Sequence, residues 1–197
     1  RPFATPAPIY LVVEYEKLTD QTEELALSTF ETCVEKGWVL DGVLAQSETQ
    51  AREFWALREL ISEACSKYTP YKNDISVTVA KVPAFMKAVD NLLLQNYPDL
   101  KVVWFGHIGD GNLHVNILRP KDLPMAEFVS NCQKVDKLLF AEIQKFQGSI
   151  SAEHGVGLSK KPFLQFTRSQ AEITLMKGVK QVFDPDGIMN PGKIFDT

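Results

Sequence analysis

The 197-residue sequence has no run of Lys and Arg, and its 21 basic residues against 25 acidic ones leave a formal charge of −4. Binding along a phosphate backbone needs clustered positive charge, so a nucleic-acid partner is not indicated. No apolar run approaches the roughly 18 residues of a helical membrane span. Cysteine is scarce: Cys33, Cys65 and Cys132 are far apart, odd in number and form no CxxC pair. That pattern argues against a thiolate zinc cluster and a disulfide framework, and for a reducing compartment. No GxGxxG follows a strand-like segment, and there is no P-loop. Repeats and low-complexity segments are absent. No secretory signal pattern is visible and the first residue is Arg1, so the expectation is an excised or processed piece. The expected location is cytoplasmic, or the mitochondrial matrix for a eukaryotic source.

With 45% hydrophobic and 23% charged residues, the composition suits one compact domain or two small sub-domains. Residues 1–8 hold three prolines and read as a linker. Segments 9–16 (IYLVVEYE) and 38–45 read as strands, being rich in β-branched and aromatic residues. Between them, 21–36 is a helix capped by Asp20 and stopped at Gly37. Ser47 followed by Gln50 resembles a capping box that opens a helix to about residue 67. Segments 73–80, 101–107 and 112–118 are further strands. Pro83 suits the first turn of a helix reaching about residue 96. A long helix covers 125–147, with Phe128, Cys132, Val135, Leu138, Leu139, Ile143 and Phe146 at helical spacing. An extended piece at 149–152 and a helix over 169–183 follow, and Asp184-Pro185-Asp186-Gly187 breaks that helix. The predicted class is α+β: a largely antiparallel sheet with helices on one face, arranged as two ferredoxin-like units.

The chain has three histidines, and all lie in glycine-containing segments: His107 and His114 in GHIGDGNLH, His154 in SAEHGVG. Asp110 and Gly111 form a strong two-residue hairpin signal. A turn there sets His107 opposite His114, with Cβ atoms about 4.5–5.5 Å apart on one face. Asn116, two residues on, shares that face. Two imidazoles so placed can share a divalent ion, with Glu153 from the other histidine segment as a carboxylate ligand and one position left open. The alternative is a hairpin of polar histidines that holds no ion. Gly155 and Gly157 either permit a tight turn or let backbone approach a bulky ligand.

Three ordered segments, GHIGDGNLHVN (106–116), SAEHGVG (151–157) and FDPDGIMNPGKIF (183–195), together with LRELISEA (57–64) and YKNDISV (71–77), span almost the whole chain. On them the sequence resembles the C-terminal domain of the FAD-linked oxidases, within the vanillyl-alcohol-oxidase-like superfamily. D-lactate dehydrogenase, the glycolate oxidase flavin subunit and D-2-hydroxyglutarate dehydrogenase are the relevant members, and SAEHG with KNDIS is worded most like the last. The resemblance implies an FAD-dependent dehydrogenase of small D-2-hydroxy acids that uses a divalent metal, usually zinc. His107, His114 and Glu153 match the family's metal ligands, and His154 matches the general base beside the flavin. Arg58 and Lys72 match basic residues that hold the substrate carboxylate, and Asn116 matches a substrate contact. Ser62 falls where a Thr is common. Asn112 and Asn190 match residues near the flavin.

Such chemistry is coherent. A 2-hydroxy acid chelates a metal, which lowers the hydroxyl pKa. An imidazole takes the proton, and the hydride on the same carbon goes to the flavin. Arg58 offers a bidentate contact to carboxylate and Lys72 a point charge. From the helix alone, Arg58 reads more simply as a solvated ion pair with Glu59 or Glu63. The family's flavin is held mainly by an N-terminal domain with no counterpart in this sequence. The expected partner is that domain of the same parent chain, joined through residues 1–8, and a surface it would otherwise cover is open to homodimerisation. Two rival readings are a non-catalytic metal or small-acid binding module and a metal-dependent hydrolase. The second leaves the NPGK segment unexplained.

Overall fold

The computed structural model describes residue 3 and residues 6–196. They divide into two compact units, 1–61 and 62–197. The linker expected at 1–8 falls partly outside the described residues.

In the first unit, α1 (Asp20–Glu35) and α2 (Glu48–Glu59) are the regular elements. Thr19, one residue earlier than expected, stands at the N-cap of α1. Asp20 thereby becomes the first helical residue, where its charge complements the helix dipole. Ser47 caps α2 as predicted, accepting from the Gln50 N–H at 3.3 Å, while the Gln50 side chain accepts from Gln46 N at 2.6 Å. The helix expected to continue to about 67 is interrupted at Leu60 (φ −88°, ψ 7°), and α3 (Ile61–Ser66) follows.

The strands predicted at 9–16 and 38–45 are not formed. A strand persists only by pairing its backbone with a neighbour, and among the described residues neither segment has one. Their β-favouring side chains are left in solvent, with Leu11 81% and Trp38 71% exposed. Propensity for a half-buried pleated surface does nothing where no such surface exists. Hence one ferredoxin-like unit, not two, is formed among the described residues.

That unit occupies 62–197. Its order is β1 (Tyr71–Ser76), α4 (Val82–Asn96), β2 (Lys101–His107), β3 (Asn112–Leu118) and α5 (Met125–Lys145). The sheet order is β1-β3-β2, antiparallel throughout. The extended piece expected at 149–152 is reduced to one bridge, Ser149 with Ser76, at the position of a fourth strand beside β1. Gly148 makes this approach possible, since a Cβ there would sit 2.4 Å from the Ser76 carbonyl oxygen. This is a βαββαβ arrangement whose last strand is vestigial.

The sheet separates two chemistries. Tyr71, Ile75, Leu113, Val115, Ile117, Val102 and Trp104 pack toward Phe85, Val89 and Leu93 of α4 and Phe128, Cys132, Leu139 and Ile143 of α5. Leu138 proves 47% exposed, and Phe140 is buried instead. At 100° per residue, Leu138 lies about 120° from the centre of the buried arc. By alternation, the opposite face of the sheet carries Lys72 and Asp74 from β1, Phe105 and His107 from β2, and Asn112, His114 and Asn116 from β3. The remaining helix, α6 (Gln170–Phe183), has a capping box of Ser169 and Glu172.

Candidate functional site

The polar face of the sheet begins at the β2–β3 hairpin. The expected register, His107 opposite His114, is not observed: His107 pairs with Asn112, and Phe105 with His114. The turn is a four-residue loop, 108–111, instead of two residues. Asp110 N donates to the His107 carbonyl and Gly111 N to that of Ile108 (3.3 and 3.2 Å), and Asp110 Oδ1 accepts from Asn112 N at 3.0 Å. Gly111 is left-handed (φ +73°), and its carbonyl accepts from Val77 N at 3.2 Å. A Cβ at 111 would lie 1.8 Å from the Val77 carbonyl oxygen. These anchors select the wider loop over a tight Asp-Gly turn. The register moves by two residues, so the imidazoles of His107 and His114 still share a face, as diagonal neighbours with ring centroids 6.2 Å apart. The Phe105 ring lies 4.9 Å from His114.

The segment 151–157 meets this face at Asp74, opposite His114 on β1. Asp74 Oδ2 accepts from the backbone N–H groups of Ala152 and Glu153 (3.2 and 3.3 Å). Asp74 Oδ1 faces His114 Nδ1 at 3.0 Å, off the line of a hydrogen bond. On the other side of the ring, His114 Nε2 is 3.9 Å from Glu153 Oε1. His154 lies beside both carboxylates, with Nδ1 3.7 Å from Asp74 Oδ2 and Nε2 3.7 Å from Glu153 Oε1. Within the segment, the Ser151 hydroxyl donates to the Gly155 carbonyl at 2.7 Å.

Lys160 closes the floor. Its ammonium donates to the carbonyls of Asp74 (2.7 Å) and Ile150 (2.5 Å), tying the histidine-bearing segment to β1. Burial lowers its pKa, against the raising influence of Asp74 and Asp136. The segment 190–196 attaches next door: Ile194 N donates to the Gly157 carbonyl at 2.9 Å, and Lys161 Nζ to that of Gly192 at 3.0 Å.

A cavity of about 530 Å³ opens here. Of the residues singled out from sequence, Ser62, Lys72, His114, Asn116, Glu153 and His154 line it. His107 sits on the same sheet face outside the lining, and Asn112 is buried at the hairpin. Asn190 is exposed with φ +46°, outside the lining. Arg58 belongs to the first unit, where it pairs with Glu59 and lies 5.8 Å from the Trp55 ring centroid. Sequence reasoning missed Asp74, Phe105 and Lys160. Asp74 was within reach, because the Lys72-Asn73-Asp74 spacing puts it on the face of Lys72; Lys160 carried no local signal.

The donor set suits a divalent ion of the zinc type. Asp74, Glu153 and His154 can each offer one atom, all within 4.8 Å of one another, and His114 Nε2 adjoins Glu153. Imidazole nitrogen with carboxylate oxygen is the mixture zinc accepts. The Asn116 side chain is 1% exposed, and its amide nitrogen has no hydrogen-bond partner among the described residues. A buried donor of that kind calls for an acceptor such as a carboxylate or hydroxyl oxygen.

Among the described residues, no helix is long and apolar enough to cross a membrane. The sequence matches the family of FAD linked oxidases, C-terminal domain, over residues 1–194. It is 59% identical over 194 residues to a D-2-hydroxyglutarate dehydrogenase of Stutzerimonas stutzeri, covering 98% of this chain and 42% of the relative. With the D-2-hydroxyglutarate dehydrogenase of Xanthomonas citri it shares 54% identity over 196 residues, 100% of this chain and 42% of the relative. With the mitochondrial enzyme of the same name from Danio rerio it shares 34% over 193 residues, 96% and 34% respectively. The chain thus spans about two-fifths of the length of the two bacterial relatives. It belongs to the FAD-linked oxidases, as their C-terminal domain.

Proposed function

We propose that this chain is the substrate- and metal-binding part of an FAD-dependent dehydrogenase. The parent would oxidise a D-2-hydroxy acid, such as D-2-hydroxyglutarate or D-lactate, to the 2-oxo acid. The observation that carries the reading is the convergence of His114, Glu153 and His154 on one cavity that is also lined by Lys72 and by Asn116, whose buried amide nitrogen is unpartnered among the described residues.

His107, His114 and Glu153 would hold a divalent ion, zinc by its donor set. When bound, that ion would polarise the hydroxyl of a chelating 2-hydroxy acid and lower its pKa. His154, 69% exposed and beside Glu153, would take the hydroxyl proton. Lys72 would neutralise the substrate carboxylate, and Asn116 would donate to one of its oxygens. Ser62 offers a further hydroxyl, and Arg58 a bidentate cation for a carboxylate. A flavin, when bound, would supply the acceptor for the hydride on the same carbon; the partner domain of the parent chain would mainly hold it, with Asn112 and Asn190 as this chain's contacts to it. The bond changes balance: the O–H proton goes to His154, the C–H electron pair leaves as hydride, and a C=O forms. The proposed location is the cytoplasm, or the mitochondrial matrix in a eukaryote, in line with the mitochondrial name of the Danio rerio relative.

Two measurements test this. Elemental analysis of the chain should find about one divalent ion per molecule, lost in His107→Ala/His114→Ala. The full-length parent should reduce a dye with D-2-hydroxy acids, and His154→Ala should abolish turnover. A chain free of metal, or a parent indifferent to every 2-hydroxy acid, refutes the reading.

A further inference from the structure

Asp74 bridges the segment 151–157 and the sheet. One carboxylate oxygen accepts from two successive backbone N–H groups, those of Ala152 and Glu153. The other faces His114 Nδ1 at 3.0 Å. Its side chain is 8% exposed, so solvent supplies little competition for these contacts. The contact is off the line of a hydrogen bond, but an anionic oxygen 3.0 Å from Nδ1 disfavours a lone pair on that nitrogen, which favours the proton on Nδ1 and leaves the Nε2 lone pair bare. Nε2 is the nitrogen turned toward Glu153 Oε1, 3.9 Å away. The same group therefore sets both the protonation pattern of His114 and the position of the Glu153 backbone.

We infer that Asp74 is a positioning residue: its carboxylate fixes His114 as the Nδ1–H tautomer and fastens the Ala152–Glu153 backbone to β1, so that Nε2 and the Glu153 carboxylate face one ion. The inference rests on the proposed metal-binding role of His114 and Glu153. A carboxylate behind a metal-binding imidazole orients the ring and raises its basicity, and loss of such a partner typically weakens metal binding about 10–100-fold. Strand placement does not depend on this side chain alone, because Lys160 Nζ independently holds the Asp74 backbone carbonyl at 2.7 Å.

Asp74→Asn separates positioning from bulk structure. The single amide oxygen can still accept from Ala152 and Glu153. The NH2 group then faces His114 Nδ1 and demands an acceptor there, which moves the ring proton to Nε2 and removes the metal-facing lone pair. The test uses the whole 197-residue chain, metal-free, with 15N-labelled histidine. Two-bond 15N–1H correlation spectra should show the Nδ1–H pattern for His114 in the wild type and the Nε2–H pattern in Asp74→Asn. Calorimetric titration with zinc should show the variant about 10–100-fold weaker, with the melting temperature nearly unchanged. Asp74→Ala should show the same spectroscopic switch. A wild-type spectrum of the Nε2–H type overturns the inference without need of any variant. So does wild-type zinc affinity in Asp74→Asn when His114→Ala loses it. If His114→Ala binds zinc as the wild type does, it is the metal-binding reading itself that fails.

Discussion

Lys160 gives the sharpest test of how the histidine-bearing segment is held. Its ammonium bridges the carbonyls of Asp74 and Ile150, which are 6% and 1% exposed as residues. Lys160→Met keeps most of the stem and removes the donors. Each hydrogen bond to a charged donor contributes about 1.5–3 kcal/mol net. Lys160 is only half-buried, and its ammonium regains full hydration in the unfolded chain, so the two bonds do not count in full. We expect a loss of about 2 kcal/mol, seen in urea unfolding at pH 7 as a lower midpoint with unchanged slope. For a unit of this size that corresponds to a melting point lower by roughly 7 °C. The pH dependence adds a signature. Burial depresses the folded pKa of Lys160 below the ordinary lysine value of 10.5, so between the two values the unfolded chain binds more protons. Stability from this group is thus largest above 10.5 and is lost as pH falls through the depressed value. That slope should be missing from Lys160→Met. A variant within about 0.5 kcal/mol of wild type, the range of an ordinary surface change, would refute the argument.

Two further outcomes follow from groups outside the cavity. Burial pushes the Cys132 thiol up to about 11, above the ordinary thiol value of 9.0, so its contribution is complete below pH 9 and is lost as pH rises through about 11. Cys132→Ala should flatten that alkaline limb, and in the wild type Cys132 should resist Ellman's reagent at pH 8; rapid labelling of Cys132 in the folded chain would contradict this. Gly111→Ala should cost at least about 2 kcal/mol in urea unfolding, because a left-handed residue gains a Cβ that meets the Val77 carbonyl; unchanged stability would show that the hairpin loop shifts freely.

The sequence was most legible where local pattern and tertiary environment agree. Strands β2 and β3 lie where alternation and the Asp-Gly signal put them, and α4 and α5 start where expected because their apolar faces meet the sheet. The segments 9–16 and 38–45 carry the same β-favouring residues but have no partner among the described residues, and periodicity cannot report a missing neighbour. Turn chemistry was legible only to within the choice of loop. Asp110 and Gly111 do lie in the turn, but the hydrogen bond from Val77, a residue far away in sequence, to the Gly111 carbonyl helps set its width. The site was half-legible for a related reason. Motifs pointed to His114, Glu153 and His154, whereas Asp74 and Lys160 act by bridging segments that meet only in the fold.

The way the hairpin departs from the simplest turn has a consequence for what lengths its tip can take. Residues added within the 108–111 loop only lengthen it, whereas one added or removed between Asn112 and His114, inside β3, would swing the His114 imidazole through the sheet to the oily side, into the space of Val115 and Trp104. Changes made in pairs slide the rungs but leave both rings looking outward. Library variants of this hairpin should therefore fall into two camps: even-sized changes within β3 that keep both rings on the polar face, and odd-sized ones that lose that placement and the packing together.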